Sequence, residues 1–82
     1  MDQMAFIALR AEYATVTETY LREAKKTSLM LGRCTMGPLS FEERLALLSQ
    51  ELQERDAFRL YLHAKRFLHS AALLGYGELS TN

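Results

Sequence analysis

A lone cysteine, Cys34, is the whole thiol content of this 82-residue chain, so no internal disulfide can staple it. The two histidines, His63 and His69, are not at the i, i+4 spacing with which a helix offers two ligands to one ion, so no metal site is expected. An excess of one charge is missing too. Ten Lys and Arg balance ten Asp and Glu, which disfavours a generic polyanion binder such as a nucleic-acid protein. No run approaches the ~18 apolar residues that a membrane-spanning helix needs, so no membrane partner is expected. The opening MDQMAFIALRAE has an early Asp2, lacks a basic stretch and is interrupted by Arg10 and Glu12. No secretion signal is expected there, and a cytoplasmic location is the default. A domain this small has a marginal core and needs a disulfide, a metal or a partner for support. With the first two excluded, oligomerisation remains.

What is present is apolar and helical. Apolar residues make up 49% of the chain against 24% charged, a globular composition. The stretch from Leu39 to Leu74 holds no Gly, no Pro and few β-branched residues, so helix is its natural state. Its apolar face moves along its length. Phe41, Leu45, Leu48 and Leu52 form one stripe, and the same line continues as Arg55, Arg59, His63 and Arg66. A second stripe runs through Ala57, Leu60, Ala64, Phe67, Ala71 and Leu74, rotated by roughly 80–130° from the first. Tyr61, Leu68 and Ala72 widen it, and Phe58 and Leu62 lie beyond. A helix so broadly apolar calls for more than one neighbour, and in a short chain some of those neighbours come from another chain.

Upstream, Asp2 is a candidate N-cap for a helix over about 3–31. Phe6, Leu9, Tyr13, Val16, Tyr20, Ala24, Thr27 and Leu31 form its seam, with Ile7, Ala14 and Leu21 broadening the buried face. The segment ATVTETY, residues 14–20, carries four β-branched residues and has strand character in isolation. The helical period runs through it on both sides, so helix is expected. Gly32 is the expected helix stop, followed by a loop over 32–39 with Gly37-Pro38 as a turn. Ser40 with Glu43 matches a capping box and starts a helix or helix pair over about 41–74. The polar band Gln53–Asp56 is either the solvated middle of one helix or a break. Glycines 75 and 77 open a frayed tail, 75–82.

No phosphate loop, dinucleotide fingerprint or Glu-x-x-His pair of a di-iron bundle is present. Cys34 has no histidine near in sequence to act as the base that a catalytic thiol needs. No catalytic residue and no cofactor are therefore expected, and the chain does not read as an enzyme. The row Arg55, Arg59, His63 and Arg66 is a candidate docking strip for an acidic partner. Its structural reading pairs it with Glu51, Glu54 and the first helix, Glu18 lying near Glu54 and Arg55 and Glu12 near Arg59. Ser49-Gln50-Glu51-Leu52 resembles the start of the SQELD motif of small helical-hairpin phosphatases that act on sporulation response regulators. The resemblance spans four residues, and Gln53 stands where that family has its functional Asp, so the activity is not carried over.

The expected architecture is one all-α domain over residues 1–82. It is a long antiparallel helical hairpin, or three helices if the chain breaks near Asp56, completed into a bundle by oligomerisation. The expected interface is Phe58, Leu60, Tyr61, Ala64, Phe67, Leu68, Ala71 and Leu74. The expected function is a small adaptor or regulator acting as a homodimer. Two alternatives stand beside it: a chaperone-like subunit that shields a helix of another protein, and a dimeric nucleic-acid regulator using the Arg55–Arg66 strip.

Overall fold

A computed structural model describes residues 3–75 of the chain. Helix α1 spans Gln3–Arg33, one 3₁₀ turn follows at Cys34–Met36, and helix α2 spans Phe41–Leu73. The two helices fold back on each other as an antiparallel hairpin, 61 × 16 × 16 Å in extent. Its radius of gyration is 18.0 Å, where a compact domain of this length has about 12 Å. No strand occurs among the described residues, and α2 runs unbroken through Asp56. With neither Gly nor Pro in the polar band, nothing there interrupts the backbone ladder.

Segment 14–20 is helical, and its threonines explain how. Thr15 and Thr17 donate their hydroxyls to the carbonyls of Ala11 and Tyr13 one turn back, at 3.1 and 2.6 Å, a bond that only a helix offers them. The expected stop at Gly32 is corrected. Gly32 lacks the positive φ of a helix-ending glycine, and α1 runs past it to Arg33. Cys34 then donates to the Met30 carbonyl and Thr35 to that of Gly32, so the turn continues to Met36. The chain reverses at Gly37 instead, at φ 147°. The capping box forms: the Glu43 N–H donates to Ser40 Oγ at 3.1 Å, and the Ser40 N–H donates to Glu43 Oε1 at 3.0 Å. At the far end Gly75, at φ 79°, closes α2 with its N–H on the Ala72 carbonyl. Asp2 and residues 76–82 of the expected tail lie outside the described residues.

The seam between the helices is strictly heptad. On α1 it is Phe6, Leu9, Tyr13, Val16, Tyr20, Glu23, Thr27 and Met30, and Cys34 follows at the same step. On α2 it is Leu47, Gln50, Glu54, Ala57, Tyr61, Ala64, Leu68 and Ala71, and Gly75 follows. All of these are half-buried or buried. The sequence seam of α1 stepped four residues from Tyr20 to Ala24. Two packed helices need alternating steps of three and four, which puts Glu23 inward and leaves Leu31 largely exposed. On α2 the two stripes competed for one partner. The alanine-bearing run from Ala57 to Ala71 faces α1, and its period carried backwards lands on Glu54, Gln50 and Leu47. The leucine stripe is thereby turned outward.

Candidate protein interface

The hairpin has two unlike halves. At the free end, Tyr13, Tyr20, Phe58 and Tyr61 form a ring cluster across the seam. Tyr20 stacks on Tyr61 at 5.3 Å between centroids and meets Phe58 at 5.3 Å; Tyr13 lies 5.9 Å from Tyr61. Ala57, Ala64 and Ala71 sit between the helices and are the buried apolar residues among those described. At the loop end the seam is mixed, Met30 and Leu47 lying half-buried beside Glu23, Thr27, Gln50 and Glu54. Its buried residues are Thr27 and Gln50. Gln50 Nε2 donates to the Glu23 carbonyl at 3.1 Å and to its carboxylate at 3.4 Å, while Lys26 lies 3.5 Å from that carboxylate. Thr27 gives its hydroxyl to the same carbonyl.

The outer surface of that loop-end half is apolar. Phe41, Leu45, Leu48 and Leu52 are 66%, 50%, 57% and 57% exposed, so in this half the most buried side chains are polar while a large apolar stripe stands outside. Among the described residues, fifteen large apolar side chains are at least 40% exposed, and no large side chain is fully buried.

The expected interface residues divide between two roles. Tyr61, Ala64, Leu68 and Ala71 lie in the seam against α1 of their own chain, Leu60, Phe67 and Leu74 face outward, and Phe58 stands at the edge, 40% exposed yet in ring contact with Tyr20 of α1. Sequence reasoning joined them because all eight fall within the broad apolar sector of one helix. Ile7 and Leu21, read as flanking the seam, are more than half exposed and belong with the outward set. Carrying the heptad of α1 through to Cys34 separates them from the seam.

Arg55, Arg59, His63 and Arg66 are all exposed on the outer side of α2. The cross-helix pairing expected for them is absent. Among the described residues the ion pairs are Lys26–Glu23 and Arg59–Asp56, each within one helix, the latter at 4.0 Å and solvent-exposed. A surface pair of that kind contributes little. His63 instead packs edge-on against Phe67 at 4.8 Å. One carboxyl is held below its usual range: the Ser40 backbone N–H, then the Ser40 hydroxyl, stabilise ionised Glu43, and Arg33 adds to the effect.

No group of His, Cys, Asp and Glu among the described residues is arranged to hold a metal ion. No described helix is long and apolar enough to cross a membrane. The SQEL segment is divided by the fold. Gln50 is buried in the seam on Glu23, while Ser49 and Leu52 are exposed. No protein family, curated protein or solved structure matches the chain.

Proposed function

We propose that the chain is a small non-enzymatic protein–protein interaction module, an adaptor or regulator whose output is to cover, and be covered by, another helical chain. The observation that carries this reading is the surplus of exposed surface, on which fifteen large apolar side chains of the described residues lie at least 40% exposed. The chain exposes 6421 Å², where a compact monomer of 9.4 kDa exposes about 5,000 Å². The surplus, about 1,400 Å², exceeds the ~800 Å² that each partner gives to an interface of standard size. Two hairpins merged into one compact body would bury about 4,500 Å² in total, inside the range of obligate assemblies.

Two occupants satisfy that area: a second copy, giving a homodimer, or a different helical protein that the chain shields in the manner of a chaperone subunit. Mass by light scattering across a dilution series, with circular dichroism on the same samples, tests the reading. A persistent helical dimer supports a homo-oligomeric module. A poorly helical or aggregating chain that becomes helical with another protein supports the shielding role. A fully helical monomer that stays soluble and monomeric at high concentration would sink both.

A further inference from the structure

We propose that one broad face of the hairpin docks an amphipathic helix with acidic flanks, supplied by a different protein. This rests on the reading of the chain as an interaction module and specifies its partner. A residue that immediately follows a seam residue lies about 100° to one side of it, and a residue that precedes it lies about 100° to the other. In an antiparallel pair the following sides of both helices share one face of the hairpin. The preceding sides share the opposite face, where Glu12 of α1 lines an open hollow with His63 and Phe67 of α2.

With the spacing continued back to Ser40, the following face carries Ile7, Leu21 and Leu31 from α1 and Phe41, Leu48 and Phe58 from α2. Each of the six is at least 40% exposed. Phe58 ties the face to the seam through its ring contacts with Tyr20 and Tyr61.

Charge chooses the occupant. Arg10, Arg44, Arg55 and Lys65 stand on this face against a single acid, Glu51. None of the four cations is in an ion pair among the described residues; Lys65 lies 5.8 Å from the Tyr61 ring. The opposite face is balanced, with Arg22, Lys26 and Arg33 against Glu12, Glu42 and Asp56. A second copy laid face to face would bring eight Lys and Arg together with two Glu, a like-charge arrangement that opposes association. Nucleic acid would satisfy the cations but leave the six apolar side chains wet. A helix with an apolar stripe and Asp or Glu beside it satisfies both sets, in the helix-in-groove mode.

The test uses the full chain and two labelled synthetic peptides of about 20 residues. They carry the same leucine stripe, one flanked by Glu and the other by Lys. Fluorescence anisotropy at low salt is expected to show the Glu-flanked peptide binding at least about tenfold more tightly, with the gap narrowing as salt rises. Reversing Arg44→Glu together with Arg55→Glu should invert the preference while circular dichroism stays unchanged, since both side chains are exposed. Leu48→Asp should weaken both peptides. Equal binding of the two peptides, or a preference untouched by the charge reversal, would overturn the proposal. If neither peptide binds but light scattering finds a persistent dimer that Leu48→Asp dissociates, the acidic partner falls and the interaction module stands with a second copy as occupant. If neither binds and the chain is a stable helical monomer, both readings fall.

Discussion

At its free end the hairpin is built in the usual sense, with rings and alanines between the helices. At its loop end the seam is mixed, with Glu23, Thr27, Gln50 and Glu54 beside Met30 and Leu47, and Phe41, Leu45, Leu48 and Leu52 lie outside. The same α2 backbone runs straight through both halves, so the difference is one of side-chain phase alone. One half packs rings and alanines between the helices. The other bridges them with the Gln50–Glu23 bonds and leaves a large apolar stripe in solvent. A chain under pressure only to be a stable hairpin would place its leucines toward α1 along the whole length, because each one fully buried contributes about 1.5–3 kcal/mol.

Substitutions in matched positions can break that comparison. The largest effect is expected at Ala64, buried between the helices at the free end. Ala64→Phe has no room without separating them and should destabilise the chain by about 3 kcal/mol, read by thermal or urea unfolding. Tyr20→Ala removes two ring contacts and should cost about 2 kcal/mol in the same assay. Ser40→Ala, which removes one arm of the capping box, should cost about 1 kcal/mol and fray the start of α2 in hydrogen exchange. On the outer loop-end surface, Leu48→Ser should change the stability of the isolated chain by less than about 0.5 kcal/mol. A loss there equal to that at Ala64 would mean that the two halves are not distinct.

The smallest effect concerns pH. Because the folded state holds Glu43 below its ordinary pKa, its contribution is fully present above the unfolded-state value. It is lost as pH falls through the lower folded-state value. The stability difference between the natural chain and Glu43→Gln should therefore shift only on acidification below about pH 4.5, and be flat above it.

The helical hairpin, its capping box and the Gly37-Pro38 reversal were legible in the sequence because each is set by local chemistry: capping geometry, turn residues and the lack of breakers. The stop at Gly32 was misplaced because glycine permits a left-handed end without requiring one, and the hydroxyl and thiol that continue the turn follow it in the chain. The mixed nature of the expected interface had a different source. Periodicity shows that Tyr61, Ala64, Phe67 and Leu74 lie within one wide apolar sector. It does not show where in that sector the partner helix sits. That choice was made by the alternating heptad of α1, and only the pairing of both helices reveals it. The leucine stripe at 41–52 was visible as a stripe, but not as an outward one, since a seam containing Glu23, Gln50 and Glu54 is contrary to burial rules.

The pair formed by Gln50 and Glu23 also answers a question that the free end leaves open. Rings recur at Phe6, Tyr13 and Tyr20, and alanines at Ala57, Ala64 and Ala71, both every seven residues. Sliding one helix past the other by a heptad, about 10 Å, would set ring and alanine in equivalent positions again. A repeat of that kind has no sense of absolute position. The side-chain amide of Gln50, reaching one carbonyl and one carboxylate on α1, finds its partners at a single offset, as a buried polar residue does in a coiled coil. Together with the short connection it serves as the zero mark on an otherwise periodic scale. It fixes which side chains of α1 and α2 stand side by side on the outside, and hence the pattern that a docking partner would read.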